Sequence, residues 1–152
     1  MKKIIKLHNN DFSFLAALIK HFEDGEISGP KYSSKNGVVY TPQKVADYIT
    51  EKSLVSYLEP ILGKEKEEFD YFSLNDIVNL ALKNSKLRKK ILNKLERVKI
   101  LDPACGSGRF LISAAKILLK TRKQLKNNSK IKNLKIEILE NNLFGFEIDA
   151  LT

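Results

Sequence analysis

The sequence predicts an α/β protein: a helical front part over residues 1–96 and, from residue 97, the opening strands and crossover helix of a parallel sheet. Three observations carry this expectation. Apolar residues recur at helical spacing from Phe14 to Phe22, from Val45 to Leu58 and from Ile77 to Leu95. The pattern then changes to a short β-branched run, Val98-Lys99-Ile100-Leu101, followed at once by a glycine-containing turn. A helix-length stretch separates this run from a second apolar run, Leu143 to Ile148, and strand, helix, strand in that order reads as a parallel crossover.

Each element follows from its residues. Asp11 or Ser13 caps a first helix whose Phe14, Leu15, Leu18, Ile19 and Phe22 share a face, and Gly25 ends it. Residues 25–40 are rich in Gly, Ser, Lys and Pro and read as a loop. Thr41-Pro42 supplies an N-cap and then a proline at the first helical position, where its missing N–H costs nothing. Val45, Tyr48, Ile49, Val55 and Leu58 give that helix its apolar side until Pro60 and Gly63 interrupt it, and the charged run 64–70 is exposed. Ser73 and Asp76 have the spacing of a capping box, with Asp in place of the usual Glu or Gln. Ile77, Leu80 and Ala81 follow as a short helix, and Leu87, Ile91 and Leu95 continue the spacing. Residues 98–101 form a strand, and Arg109 to about Lys123 a helix with Phe110, Leu111, Ala114, Ala115, Leu118 and Leu119 inward. A second helical stretch carries Ile131, Leu134, Ile138 and Leu139, and Leu143 to Ile148 is a second strand.

With 152 residues, 43% of them apolar, the chain is large enough for one domain with a real core, which excludes a disordered or fibrous class. The one cysteine, Cys105, excludes an internal disulfide framework. No Cys/His cluster has zinc-ligand spacing, so His8 and His21 read as surface residues and no metal site is expected. The basic and apolar start is broken at Lys6 and His8, too early for a signal peptide, and no stretch approaches a membrane span. A soluble, cytoplasmic protein is the expectation. The net charge of +9 is concentrated in two runs, 83–99 with one acid, Glu96, and 116–135 with none. Such runs suit a polyanion, since each neutralised phosphate releases counterions, and equally suit a solvated helix face.

The segment with chemistry in it is Leu101-Asp102-Pro103-Ala104-Cys105-Gly106-Ser107-Gly108-Arg109-Phe110-Leu111, between the first strand of the sheet and its helix. Ligands of open parallel sheets bind outside the carboxyl ends of the strands, and glycines there let the backbone come close. A phosphate cradle calls for a lysine or for G-x-G-x-x-G, and neither is present. Asp102 is instead a carboxylate suited to an ammonium group, which favours a cationic ligand bearing an amino acid. Cys105 lies on this turn as a small packing residue, not a nucleophile.

Asp102 to Leu111 resembles motif I of the N6-adenine DNA methyltransferases, in particular the gamma-order enzymes of type I modification subunits and fused restriction-modification polypeptides. Gly37-Val38-Val39-Tyr40-Thr41-Pro42 resembles their motif X, which precedes motif I in that order, and Asn142-Leu143-Phe144-Gly145-Phe146-Glu147-Ile148-Asp149 resembles motif II. The resemblance covers roughly three quarters of the chain and implies a Rossmann-like fold that binds S-adenosylmethionine. It implies that Tyr40 and Thr41 meet the methionine end of the cofactor, together with Asp102 and the backbone at Ala104, Gly106 and Gly108. Glu147 then takes the two ribose hydroxyls, for which a carboxylate is the natural bidentate acceptor, and Ile148 packs on the adenine. Asp149 is a weaker candidate for ligand contact, because its neighbour already fills the ribose role.

Two departures qualify the match. Glu147 lies 45 positions after Asp102, against roughly 20 in a minimal dinucleotide fold, so a long helix and a basic loop must intervene. The family's catalytic Asn/Asp-Pro-Pro-Tyr/Phe segment is absent, since Pro30, Pro42, Pro60 and Pro103 include no Pro-Pro pair. The expectation is the cofactor-binding portion of an adenine methyltransferase of a restriction-modification system, inactive by itself and without a catalytic residue of its own. In the complete enzyme the resemblance implies a target adenine flipped out of duplex DNA. A specificity or restriction subunit, or a fused domain, is the further partner it implies. The alternatives are a fragment of a methyltransferase acting on RNA or on protein glutamine, and a non-catalytic S-adenosylmethionine-binding module.

Overall fold

The computed structural model describes the backbone at 4–5 and residues 41–63, 73–106, 108–126 and 133–146. The first helix read from the sequence, the loop 25–40, the run 64–70, Ile131 and the end of the second strand at Glu147 and Ile148 lie outside the described residues. The described elements are β1 (Ile4–Ile5), α1 (Gln43–Leu58) with a 3₁₀ turn at Glu59–Ile61, α2 (Leu74–Lys83), α3 (Ser85–Arg97), β2 (Ile100–Asp102), α4 (Arg109–Leu125), α5 (Leu134–Asn141) and β3 (Leu143–Phe146).

Helix α1 starts one residue later than expected. Pro42 holds an extended ψ of 141° as the N-cap, and its carbonyl accepts from the N–H groups of Val45 and Ala46. The inward face also differs from the predicted one: Val45, Tyr48 and Ile49 are exposed, whereas Ala46, Thr50, Leu54, Val55 and Leu58 are buried. Small residues at 46 and 50 form the face turned to the core. Thr50 can be buried because its hydroxyl donates to the Ala46 carbonyl one turn back, 2.7 Å away.

The capping box at α2 forms as its spacing predicts. The Ser73 hydroxyl accepts from the Asp76 N–H, and the Asp76 carboxylate accepts from the Ser73 N–H at 2.9 Å. The helical periodicity that continues from Leu80 to Leu87 hides a break at Asn84, which ends α2 in an extended conformation and caps α3. Its Oδ1 accepts from the N–H groups of Lys86 and Leu87 at 3.1 and 3.0 Å.

Strands β2 and β3 pair in parallel, with Ile100 opposite Leu143, Leu101 opposite Phe144 and Asp102 opposite Gly145. The first strand begins two residues later than predicted, because pairing starts at Ile100, where β3 begins. The sequence gives no sign of an antiparallel partner, yet β1 pairs with the other side of β3, and the sheet order is β1-β3-β2. The β2-α4-α5-β3 crossover is the α/β unit the sequence predicts. Helices α1 to α3 join it in one core that runs from Leu54 through Ile77, Ile91, Leu95, Leu111, Leu118 and Ile138 to Leu143.

A buried polar joint fixes the start of the sheet. Asn142, fully buried, donates through Nδ2 to the carbonyls of Val98 at 2.8 Å and Glu96 at 3.2 Å. It accepts through Oδ1 from Arg122 Nη1 at 3.3 Å. Arg122 is itself fully buried and forms ion pairs with Glu137 and, at 3.7 Å, with Glu96. Among the described residues no helix is long and apolar enough to cross a membrane.

Candidate functional site

The turn after β2 is built by hydrogen bonds that its own sequence supplies. Asp102 Oδ1 accepts from the Ala104 N–H at 3.1 Å, folding the chain back at the strand end. The Cys105 carbonyl accepts from the Gly108 N–H at 2.7 Å, and the Gly108 carbonyl starts α4 by accepting from Ile112. Gly106 and Gly108 have φ of 50° and 77°, a left-handed conformation that costs residues with a Cβ roughly 1–2 kcal/mol. Glycine is therefore needed at both positions for the backbone's sake. A Cβ on Gly108 would meet nothing within 4 Å, so the space beside it is open.

The turn is also tied to β3. The Cys105 N–H donates to the Phe146 carbonyl at 2.9 Å, joining the carboxyl ends of the two parallel strands. Gly145 makes this approach possible, because a Cβ there would lie 2.9 Å from Leu111 Cδ1 and 3.0 Å from Cys105 Sγ. The glycine of the motif II-like segment is thus a packing residue under the motif I-like turn.

The third segment arrives from α1. Arg109, first residue of α4, donates from Nη1 to the Thr41 carbonyl at 2.9 Å. One turn along each helix, Gln43 Nε2 donates to Ser113 Oγ and to Asp47 Oδ1, both at 2.8 Å. The Ser113 hydroxyl in turn donates to Asp47. Ser113 is fully buried, so this polar cluster pins the amino end of α1 on α4.

Of the residues singled out from the sequence, Thr41, Asp102, Ala104, Gly106 and Gly108 are brought to this end of the molecule. Asp102, Gly106 and Thr41 are half-buried, Ala104 exposed and Gly108 buried. Tyr40, Glu147 and Ile148 lie outside the described residues. Arg109, Gln43, Asp47 and Ser113 are not among the residues the sequence singles out. Arg109 sits inside the motif I-like segment, and nothing in its spacing marks a partner 68 positions away. Phe110 is half-buried and Leu111 buried, as packing residues of α4. A pocket of about 430 Å³ adjoins the turn at Asp102 and Pro103 without reaching Gly106 or Gly108. Its walls are Ile49, Ser53 and Tyr57 of α1 together with β2 and Phe110, and no described residue of β3 lines it.

Residues 78–152 match the family model of the MmeI DNA-methyltransferase domain. The chain is 34% identical over 131 residues, 76% of its length, to a Methanocaldococcus jannaschii protein named as a putative type II restriction enzyme and methyltransferase, of which the match covers 11%. It is 41% identical over 54 residues, 36% of its length, to the adenine-specific methyltransferase BrxX of Escherichia coli, of which the match covers 4%. The chain therefore spans a small part of both relatives. No solved structure matches it.

Proposed function

The chain belongs to the DNA methyltransferases of restriction-modification systems, and on that premise we propose that it binds S-adenosylmethionine on the turn between β2 and α4. It does so as part of an enzyme that methylates the N6 amine of adenine in duplex DNA. The observation that carries this is the meeting of three distant segments at one end of the sheet: the Asp102–Gly108 turn, the end of β3 bonded to Cys105, and Thr41 held by Arg109.

The residues present suit the cofactor. Its methionine end is cationic at the amine and the sulfonium, and the Asp102 carboxylate stands at the strand terminus where ligands of parallel sheets bind. The open space beside Gly108 and the missing Cβ of Gly106 let a ligand approach the main chain. When bound, the cofactor supplies an electrophilic methyl group. Thr41, Asp102, Ala104 and the two glycines bind and orient its methionine end, Glu147 holds the ribose hydroxyls, and Tyr40 and Ile148 enclose it. All of these roles are binding roles, and the sequence contains no Asn/Asp-Pro-Pro segment to orient a target amine. The 152 residues bind cofactor without transferring its methyl group.

Calorimetry tests this directly. S-adenosylmethionine and S-adenosylhomocysteine should bind the chain, and Asp102→Ala should weaken both without abolishing folding. Duplex DNA incubated with the chain and cofactor should yield no N6-methyladenine. Absence of cofactor binding to the folded wild type at millimolar ligand overturns the assignment.

A further inference from the structure

The structure separates the two basic runs, and we infer that only one of them, the outer face of α3, is a binding surface for the phosphate backbone of duplex DNA. Lys86, Lys89, Lys90 and Arg97 are all exposed and recur at helical spacing on the side of α3 turned away from Leu87, Ile91 and Leu95, which are buried in the core. From Lys86 to Arg97 this stripe is roughly 16 Å long at 1.5 Å per residue, enough to follow several consecutive phosphates. The acid within the run does not neutralise it. Glu96 is paired instead with Lys126 at 2.8 Å and with Arg122 at 3.7 Å. Among the described residues Lys86, Lys89, Lys90 and Arg97 have no acidic partner, and Lys94 lies 4.6 Å from the Tyr57 ring centre.

The described part of the second run is engaged within the fold. Arg122 is buried in its ion pairs, Lys126 pairs with Glu96, and Lys116 and Lys123 are half-buried. Of its described cations Lys120 alone is exposed.

The character of the α3 face selects the partner. A helix that binds a membrane surface inserts its apolar side, and here that side is the protein core. The stripe carries no aromatic side chain to stack on a base, so contact with phosphates is sequence-independent. The choice of duplex DNA among polyanions rests on the methyltransferase assignment. Because α3 enters the amino end of β2 and the candidate cofactor turn leaves its carboxyl end, the stripe grips DNA flanking the target rather than presenting the base.

Fluorescence anisotropy of a short labelled duplex of mixed sequence, titrated with the full chain between about 50 and 200 mM salt, tests the inference. The wild type should bind with log K falling linearly in log salt. Replacing Lys86, Lys89, Lys90 and Arg97 together by Gln should make the slope shallower by roughly 3–4, at about 0.9 per phosphate contact. The paired variants Lys86→Gln/Lys90→Gln and Lys89→Gln/Arg97→Gln should each lose about half of that, which keeps the test decisive if the fourfold variant does not fold. Replacing Lys116, Lys120 and Lys123 by Gln should change the slope by about one or less. The inference is overturned if wild type shows no binding at low salt, if the α3 variants keep the wild-type slope, if the α4 variant loses as much, or if phosphatidylserine vesicles are bound and the duplex is not. A parallel titration with S-adenosylmethionine keeps the two assignments apart. Cofactor binding lost with the salt slope intact counts against the function, and the reverse counts against the α3 surface.

Discussion

Arg109 holds Thr41 by its main chain: Nη1 of the first residue of α4 donates to the Thr41 carbonyl at 2.9 Å, across 68 positions of sequence. This bond links the segment ahead of α1 to the turn after β2, so each residue stands where the other needs it. Thr41 offers a carbonyl because Pro42, not Thr41, is the helix N-cap and leaves Thr41 in the preceding segment. On the proposed cofactor assignment, the arginine acts on the ligand through Thr41, as a positioning residue.

Arg109→Ala should weaken S-adenosylmethionine binding by about tenfold or more, since a hydrogen bond from a charged group contributes about 1.5–3 kcal/mol. Arg109→Lys should retain part of the affinity, because an ammonium can still reach a carbonyl but lacks the planar fork. Calorimetry and melting curves on the same samples check this. Affinity equal to wild type in Arg109→Ala, with an unchanged melting temperature, would leave the bond to Thr41 without a role in ligand binding.

What the sequence reveals and what it hides follow from range. The capping box at Ser73 and Asp76 and the helix starting at Arg109 are legible from local spacing, and the parallel pair β2 and β3 from the order strand, helix, strand. The resemblance to N6-adenine DNA methyltransferases is borne out by the family and the relatives that the chain matches. The break at Asn84 is hidden because Leu80 and Leu87, seven residues apart, remain in helical phase across it, although an asparagine before a serine is a cap signal. The inward face of α1 is hidden for a different reason: hydrophobicity favours Val45, Tyr48 and Ile49, whereas packing against α4 selects the small Ala46 and Thr50. Asn142 and Arg122 are polar residues in polar-looking sequence, and their burial depends on partners 15 to 47 positions away.

Two glycines of the site should respond to alanine for different reasons. Gly108→Ala adds no clash but forces a Cβ into φ of 77°, which costs roughly 1–2 kcal/mol. Gly145→Ala has an ordinary φ but drives its methyl against Leu111 and Cys105, overpacking that costs about 1–3 kcal/mol. Gly108→Asn, which tolerates the left-handed region, should recover part of the first loss, and no such recovery is expected for Gly145→Asn. Urea unfolding of the four variants distinguishes strain from crowding.

Asn142→Leu should be among the most destabilising single changes outside the apolar core. It removes the donor shared by the Val98 and Glu96 carbonyls and the acceptor facing Arg122, and each buried group left unsatisfied costs about 1–3 kcal/mol. Glu137→Gln should also destabilise, because it leaves the fully buried Arg122 with its more distant acid, Glu96, at 3.7 Å. If Asn142→Leu proves as stable as wild type in urea, the joint is dispensable.

Acid should reveal the capping box. The Ser73 hydroxyl and N–H hold the Asp76 carboxyl below its ordinary value of 3.8. A depressed folded-state pKa contributes stability that is fully present above 3.8 and is lost as pH falls through the lower folded value. Asp76→Asn should therefore be less stable than wild type at neutral pH, with the difference shrinking below pH 3.8. Urea midpoints measured against pH give the comparison, and a difference constant down to strongly acidic pH excludes the linkage.

Glu147 carries the sharpest test of the proposed cofactor site. Gly145 stands opposite Asp102 in the parallel register, and Glu147 follows it by two residues in the sequence. A carboxylate accepting both ribose hydroxyls makes two charge-assisted hydrogen bonds, each contributing about 1.5–3 kcal/mol. Glu147→Ala should then weaken S-adenosylmethionine by at least about tenfold, the factor that 1.4 kcal/mol gives. Glu147→Gln should lose less, since its carbonyl oxygen still accepts, and Asp149→Ala should lose least. A ligand without ribose hydroxyls provides the matching control: for 2′,3′-dideoxy-S-adenosylhomocysteine, Glu147→Ala and wild type should bind alike, because the groups the carboxylate recognises are gone. If Glu147→Ala binds S-adenosylmethionine as tightly as wild type with an unchanged melting temperature, the ribose is held by another residue.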